Sequence, residues 1–444
     1  MDRIYKIDKI FTWEKIKRKW REIMLWTLIK KEIQENLYSF KFLIVFLLLT
    51  VLMLTSVFVM YQDYRVRMEN YEVLRPKPTQ PFVIIPPTPL SIFVKGLDEN
   101  MGRSFEISFG GQIQVGKKQQ SINPIFNMFT TPDLLFVIKI ICALCAMLFA
   151  FDTISGEKGA GTLSLTLSNT VSRTTVILGK WIGGFASFIV PFIILFLVGA
   201  LSVMLSPHVQ LGYNEWVRIG LLLLFSILYL AFFFSLGLLI SALTHEAASS
   251  LVIALLAWAL IIFVIPNLGN TLARQLVNIQ SVEQLEMKRG QIWIREVFNM
   301  SNLPVQERKA SSFQNVLTKI HDENERLLDD YRTQFNNLIT VSKNISRLSP
   351  TAAFTYLSTD IAGTGIGEEM RLKDSVLRYK NVVWNKPTDS SGNIIGDFPP
   401  FHHNRESVAR SMSGEGLINL TIIALYLILA FAASYTAFLF YDVR

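Results

Sequence analysis

One stretch decides how the chain is organised: FDTISGEKGAGTLSLTLSNTVSRTTVILGK, residues Phe151–Lys180. It is short, polar and rich in glycine, whereas long apolar runs precede and follow it. An apolar run of about 20 residues is long enough to cross a bilayer as a helix. The stretch therefore predicts a loop that joins two membrane-spanning helices at one face of the membrane.

The composition of the chain is that of a membrane protein. Of its 444 residues, 51% are hydrophobic, 12% are aromatic and only 18% are charged. The apolar residues occur in blocks, which predicts an all-α polytopic membrane protein. The net charge of +8 has no base-stacking or groove-reading module beside it, so we expect no nucleic-acid partner. Cys142 and Cys145 both lie in an apolar run, which disfavours a disulfide or a metal pair.

Six apolar runs predict six transmembrane helices. The predicted spans are residues 40–60, 134–151, 176–205, 217–243, 249–266 and 417–441. We expect Pro191 to bend the third span and Pro266 to close the fifth. Basic residues crowd the segment before the first span, and such residues favour the cytoplasmic side. With an even number of spans, both termini are predicted to be cytoplasmic.

Residues 1–39 predict an amphipathic helix that lies in the membrane interface. Trp13, Trp20 and Trp26 recur at about helical spacing among lysines and arginines. Such a helix sets its basic side against lipid headgroups, so membrane lipids are expected partners. A plain surface helix is the alternative.

The order of residues in the central loop resembles the first cytoplasmic loop of type-2 ABC exporter permeases. The matching positions are Glu157, Gly161-Thr162-Leu163, Leu165, Leu167, Ser172-Arg173 and Gly179-Lys180, with Lys31-Glu32 before the first span. The proline that often precedes Val-Ser-Arg in the family is Thr170 here. The resemblance implies that residues 152–175 form a coupling loop, with a short surface helix that docks onto a cytoplasmic ATPase.

The resemblance also implies a set of ATPase-coupling residues. In that set the leucines supply apolar contact, and Glu157 and Arg173 act as polar anchors. The set is Gly156, Glu157, Gly161, Thr162, Leu163, Leu165, Leu167, Ser172 and Arg173. The expected partners are two cytoplasmic ABC ATPase subunits and a second permease copy, identical or different.

Two glycine-rich runs approach the spacing of a phosphate-binding loop. The run Gly111–Lys118 ends in Lys118 where Ser or Thr is needed, and Thr162 replaces the lysine that should follow Gly156–Gly161. We therefore expect no cofactor on this chain, with ATP and Mg²⁺ held by the partner ATPase.

Two polar segments, residues 61–133 and 267–415, are predicted to lie outside the cytoplasm. In the first, residues 104–118 alternate around Gly110-Gly111 and predict a β-hairpin. In the second, apolar residues at helical spacing predict a helix over residues 272–285. After Pro304 they predict one helix of about 40 residues, whose apolar positions run from Phe313 to Ile345. Two such helices favour an antiparallel hairpin with a coiled-coil seam. Ser349-Pro350 and Gly363 are expected to bound the next helix.

Two further positions are candidates, one for a transport conduit and one for a metal site. Lys139 lies in the predicted second span, where a charge is a candidate for a conduit; the alternative is that its long stem reaches the outer interface. His402-His403 has no acidic or cysteine partner at ligand spacing, so no metal site is expected.

Together these features predict a non-enzymatic permease subunit of an ATP-driven exporter in the plasma membrane of a prokaryote. The large outside hairpin adds a hypothesis of mechanical transmission to an extracytoplasmic protein partner. The alternative is a membrane-anchored sensor or scaffold that acts through the coiled-coil domain, but this leaves the loop Glu157–Lys180 unexplained. The sequence does not name the transported substrate.

Overall fold

The computed structural model describes residue 19 and residues 22–74, 82–102, 104–107, 113–115, 132–168, 171–302, 310–384 and 398–441. Six helices in this part of the chain are long and apolar enough to cross a membrane. They are Phe40–Leu74, Leu134–Gly159, Arg173–Met204, Tyr213–Leu243, Ala247–Leu276 and Glu415–Leu439, numbered here as the first to sixth spans. The predicted number of spans is confirmed.

The helices are labelled in chain order. The first part of the chain contains α1 (22–37), α2 (Phe40–Leu74), α3 (Asp98–Met101), α4 (Leu134–Phe136), α5 (Ala143–Ala150), α6 (Ser155–Gly159), α7 (Thr162–Ser168), α8 (Arg173–Met204) and α9 (Tyr213–Leu243). The second part contains α10 (Ala247–Ala259), α11 (Ile265–Leu276), α12 (Val282–Ser301), α13 (Ala310–Ser346), α14 (Pro350–Ala362), α15 (Ile366–Trp384), α16 (Val408–Met412) and α17 (Glu415–Leu439).

The fifth span does not close at Pro266, so that prediction was wrong. Its helix α10 passes into a π turn, Leu260–Val264, and then into α11, which contains Pro266 near its start. A proline lacks an amide donor, and the wider hydrogen-bonding of a π turn accommodates it without ending the helix. A second π turn, Val137–Cys142, lies in the second span between α4 and α5.

The first span also exceeds its prediction. Helix α2 has 35 residues, which at 1.5 Å per residue is about 52 Å, longer than a hydrocarbon core of about 30 Å. Its last turns carry Asp63 and Arg67, which form an ion pair with N–O distance 2.9 Å. The helix therefore continues beyond the apolar stretch that the sequence marked as the span.

The core lies between the second, third and fourth spans. In the most apolar stretch of each of these three spans, half or more of the residues are buried within the chain. The buried share is 28%, 17% and 22% in the first, fifth and sixth spans. Large rings fill this core, including Phe188 and Phe192 of α8 and Tyr229 and Phe233 of α9. The three outer spans therefore present most of their apolar surface away from the fold.

Helix α14 packs against the spans. Its bounds match the prediction, because Ser349 caps its N-terminus and Gly363 ends it in the left-handed conformation, φ 71°. Phe354 of α14 stacks on Tyr229 of α9 with ring centroids 4.3 Å apart. The sequence grouped this helix with the outside segment, and the structure adds that its apolar side chains from Ala353 to Ala362 join the core of the spans.

Three short strands lie between the first two spans, and they pair antiparallel in the order β1 (Phe82–Val83), β2 (Phe105–Ile107) and β3 (Ile113–Val115). The predicted turn at Gly110-Gly111 falls between β2 and β3, outside the described residues. Most of the predicted interfacial segment, including Trp13 and Trp20, also lies outside them.

The predicted helix over residues 272–285 is broken. Helix α11 ends at Leu276, and α12 begins after Ser281, whose hydroxyl accepts a hydrogen bond from the backbone of Gln284 while the Gln284 side chain caps Ser281 in return. This capping box starts a new helix and overrides the continuing apolar rhythm. The long helix is confirmed as α13, 37 residues, and Arg295 of α12 pairs with Glu323 of α13. The coiled-coil geometry stays a prediction.

Polar contacts tie the segments between the spans to the spans themselves. Arg67 at the end of α2 pairs with the buried Asp98. Arg218 in the first turns of α9 donates to the carbonyl oxygens of Ile361, at the end of α14, and of Glu406. His403, one of the pair tested above as a metal site, lies 2.9 Å from Glu368 of α15.

Candidate functional site

The central loop folds into two short helices joined by a glycine. Helix α6 ends at Gly159, and Gly161 then takes the left-handed conformation, φ 72°, which a side chain would disfavour. Helix α7 follows at once. After it, the Ser172 hydroxyl accepts a hydrogen bond from the backbone amide of Thr175 and so caps α8. The residue types at positions 161 and 172 of the motif are thus explained by local structure, a left-handed turn at Gly161 and a helix cap at Ser172.

Helix α6 is fastened to the end of the fourth span. The Ser241 hydroxyl accepts hydrogen bonds from the amides of Ile154 and Ser155, each 2.9 Å, at the start of α6. The Lys158 ammonium donates to the carbonyl oxygens of Ala242 and Thr244, where α9 ends. These contacts satisfy groups that helix ends leave without partners, so α6 and α9 are held as one piece.

A buried ion cluster joins three separate parts of the chain. Lys180 of α8 places its ammonium 2.8 Å from a carboxylate oxygen of Glu32 in α1 and 2.8 Å from one of Glu157 in α6. Lys180 is 4% exposed and Glu32 is 6% exposed. The second carboxylate oxygen of Glu157 is buried and has no hydrogen-bond partner among the described residues. Two carboxylates therefore share one ammonium as their partner.

Two glycines of α8 let α1 approach closely enough to form this cluster. A Cβ placed on Gly183 would lie 2.8 Å from the Glu32 Cβ and 3.0 Å from the Ile29 carbonyl oxygen. One on Gly179 would lie 3.0 Å from the Leu28 Cβ. Real Cβ atoms essentially never come within 3.0 Å of another atom, so Gly183 in particular sets the distance between α1 and α8.

Arg173 ties the start of the third span to the end of the sixth. Its guanidinium donates to the carbonyl oxygens of Leu439 and Tyr441, each at 2.7 Å. These carbonyls belong to the last turn of α17 and the residues just after it, where helix carbonyls lack internal partners. A cation at a helix C-terminus also interacts favourably with the helix dipole.

Helix α7 has one buried and one exposed side. Leu163 is 2% exposed and lies in the main core, and Leu167 packs against that core. Leu165, between them in sequence, is 68% exposed. The result is a short helix anchored from behind that presents Leu165, with Thr162, Ser164 and Ser168, at the surface.

The comparison with known families agrees with this arrangement. The family described as ABC-2 family transporter protein matches residues 26–443, nearly the whole chain. The chain belongs to the ABC-2 transporter family. No curated protein matches it in sequence. As an ABC-2 family protein it is a multi-pass membrane transport component that is not itself catalytic, and the family associates with ABC ATPases.

The structure brings most of the predicted coupling residues of this ABC-2 protein into one region. Leu163, Glu157 and Arg173 make contacts inside the chain, whereas Leu165 and Thr162 lie at the surface. Their role in ATPase coupling stays a prediction. Lys139 lies apart from this region, in the π turn of the second span, with its ammonium 5.9 Å from the centroid of the Phe136 ring.

Sequence reasoning missed two members of the site. Glu32 and Lys180 were recognised only as family positions, and neither was predicted to hold a partner. The available signal was that both residues are charged and lie near the ends of two helices. A charged side chain is costly to bury unless it is paired. The glycine pair Gly179 and Gly183, four residues apart on one face of α8, was the signal for a close helix crossing.

Proposed function

We propose that the chain is the membrane-spanning subunit of an ATP-driven export system. Two permease copies and two cytoplasmic ATPase subunits form the working assembly, in the plasma membrane of a prokaryote, with both termini in the cytoplasm. The observation that carries the proposal is helix α7, which presents Leu165 at the surface while buried contacts fix its other side. All ATP chemistry takes place on the partner chain, where ATP and Mg²⁺ bind.

The region around α7 has the construction that force transmission needs. A lever must be rigid, and α6 is fixed to α9 by Lys158 and to α8 and α1 by Lys180. A force applied to α7 is therefore passed to the first span through α1, to the third span through α8 and to the fourth span through α9. In the proposal, closure of two ATPase subunits around ATP moves α7, and these connections pass the movement to the membrane.

The orientation proposed here follows from charge. Basic residues precede the first span, and α1 presents Lys30 and Lys31 at its surface beside the exposed Trp26. Cationic and aromatic side chains together favour the headgroup layer of the cytoplasmic leaflet. Lys180 links α1 to α6, and α7 follows α6 directly, so in the proposal α7 lies on the cytoplasmic face as well.

The experiment is a purification of the tagged chain in mild detergent, with mass spectrometry and an assay of ATP hydrolysis. The proposal expects a soluble ATPase with a phosphate-binding loop in stoichiometric amount, and hydrolysis by the purified assembly. A chain that purifies alone and without ATPase activity, from cells that express the neighbouring genes at native levels, would overturn it and favour the sensor or scaffold.

The outside hairpin supports mechanical transmission as a variant of this function. Helix α12 exposes Met287, Ile294 and Phe298, which lie seven and four residues apart and so share one face. An extracytoplasmic protein partner that binds this hairpin would let ATP hydrolysis do work outside the membrane. The same surface would serve the sensor or scaffold alternative.

A deletion can test the hairpin without damaging the spans. The Ser346 hydroxyl donates to the Pro266 carbonyl oxygen and the Ser342 hydroxyl to the Asn270 side chain, so α11 and α13 run antiparallel. Residues 277–336 can therefore be replaced by a short Gly-Ser loop that leaves these contacts in place. The deletion should spare α14, which packs against Tyr229. It should carry Lys380→Gln, because Lys380 is 2% exposed and would lose its partner Glu325. If phenotype and coupled ATPase activity both survive, the hairpin is dispensable and the variant is wrong.

A further inference from the structure

The second and fifth spans each contain a π turn, and both π turns are contacted by side-chain donors. In the second span, the Tyr229 hydroxyl donates to the carbonyl oxygen of Lys139 at 2.8 Å, and the Trp258 indole donates to that of Ile140 at 3.2 Å. In the fifth span, the Ser349 hydroxyl donates to the carbonyl oxygen of Ile261 at 2.7 Å. All three carbonyls lie inside the π turns Val137–Cys142 and Leu260–Val264.

These donors answer a specific need of the π turns. A π turn changes the pairing of backbone groups along a helix and leaves a carbonyl without its ordinary helical partner. In an apolar interior such a carbonyl is costly unless another donor reaches it. A π turn without its donor is therefore expected to revert to α-helix.

Two of the three donors, Tyr229 and Ser349, meet at one end of helix α14. Ser349 caps its N-terminus, and Thr351 in its first turn lies 3.1 Å from the Tyr229 hydroxyl. Phe354, one turn further, stacks on the Tyr229 ring. The beginning of α14 therefore supports both π turns, one through Ser349 directly and the other through Tyr229.

We propose that the two π turns are hinges of the transport cycle and that the N-terminal end of α14 holds them in place. When Tyr229 leaves the Lys139 carbonyl, the π turn of the second span becomes α-helix. Removal of one residue from a turn moves the following helix by about 1.5 Å along its axis and about 100° around it. The part of the span that shifts and rotates is the part that leads to α6 and Glu157, at the proposed cytoplasmic end.

The proposed hinge thus connects the α14 end of the bundle with the Lys180 cluster. When a partner moves α6, Glu157 moves with it. The resulting shift of the second span breaks the hydrogen bond by which Tyr229 stabilises the π turn. Both ends therefore bias one two-state element, which is the physical requirement for coupling between distant sites. The inference rests on the proposed function for its driving force, but the hinge itself is a property of this chain alone.

The two cysteines of the chain provide a test without added labels. Cys142 ends the π turn and Cys145 follows in α5, and both are buried. The purified chain in lipid nanodiscs is treated with N-ethylmaleimide, and modification of each cysteine is timed by mass spectrometry after digestion. Loss of the Tyr229 hydroxyl in Tyr229→Phe is expected to speed labelling of Cys142 about tenfold or more.

The matched control is Tyr426→Phe. Tyr426 donates to the carbonyl oxygen of Leu348 at 2.6 Å, beside the same end of α14 but outside either π turn. Its loss should leave the labelling rate of Cys142 unchanged. Equal rates in Tyr229→Phe, Tyr426→Phe and the unaltered chain would overturn the hinge.

A second variant guards against misfolding. Ser349→Ala acts on the other π turn, and the proposal expects it to speed labelling of Cys142 as well, because α14 supports both. If Tyr229→Phe fails to elute as a folded species, Ser349→Ala decides, and an unchanged Cys142 rate in that variant overturns the proposal. The ATPase plays no part in this assay, so failure of the hinge leaves the proposed function standing, and absence of an ATPase leaves the hinge measurable.

Discussion

Lys180 places its ammonium 2.8 Å from the Glu32 carboxylate although 148 residues separate the two in sequence. The pair is almost fully buried, and Glu157 completes it from a third part of the chain. Burial of charges is costly, and the cost is offset only when every charge has a close partner. The ion pairs of Lys180 therefore join α1 to α8 and α6, beside the close crossing that Gly183 allows.

Replacement of Lys180 by methionine should destabilise the protein strongly. Lys180→Met leaves the buried Glu32 carboxylate and the half-buried Glu157 carboxylate without a cation, for which a loss of about 3–5 kcal/mol in the free energy of unfolding is expected. The control is Lys31→Met, because Lys31 forms an exposed i,i+4 pair with Glu35 and should cost less than about 1 kcal/mol. Thermal unfolding in detergent measures both, and equal midpoints for the two variants would contradict the role given to Lys180.

A methyl group at Gly183 should force α1 away from α8. In Gly183→Ala the new Cβ meets the Glu32 Cβ and the Ile29 carbonyl oxygen, and such overpacking costs about 1–3 kcal/mol. Gly220→Ala in α9 is the control, because nothing lies within 4 Å of a Cβ there. Helix propensity alone should make that change neutral or stabilising by up to about 1 kcal/mol. Unfolding midpoints that shift in the same direction would argue against the close crossing.

Asp360, near the end of α14, should make stability depend on pH. Burial raises its pKa from 3.8 to about 6, while Lys343 lowers it in part and Glu415 adds to the rise; Arg371 and Glu406 act in opposite senses. The folded state then holds the proton more tightly than the unfolded state, so stability falls as pH rises from about 4 to 6.

Asp360→Asn removes that dependence. Above pH 7 the variant should be more stable than the unaltered protein by about 1–3 kcal/mol, and the difference should vanish below about pH 4. Asp374→Asn, at an exposed position of α15, should change stability little at either pH. A difference between Asp360→Asn and the unaltered protein that is constant from pH 4 to pH 8 would show that Asp360 does not titrate as stated.

The sequence predicted the elements whose signals are local. The number of spans follows from apolar runs, and the bounds of α14 follow from Ser349-Pro350 and Gly363. The break between α11 and α12 was also local, because the capping box Ser281–Gln284 is visible in the sequence, but the apolar rhythm was given more weight.

The remaining features depend on contacts between distant residues. Nothing near Lys180 in sequence shows that Glu32 will be its partner, and a π turn gives no periodic signal in an apolar helix. Likewise, the family order of residues did not separate Leu163, which is buried, from Leu165, which is exposed. Such differences arise from packing and become visible only in the fold.

Helix α7 is proposed to receive an ATPase through its exposed face, where Leu165 is 68% exposed. The tagged chain carrying Leu165→Asp is purified with the ATPase, and the amount of ATPase retained is compared with the unaltered chain and with Leu276→Asp, an equally exposed leucine of α11 that is 71% exposed. An aspartate that loses its water in an apolar contact is costly. ATPase retention should therefore fall about tenfold or more in Leu165→Asp but not in Leu276→Asp, and the unfolding midpoint should stay unchanged. Full retention of the ATPase by the folded Leu165→Asp chain would contradict the account.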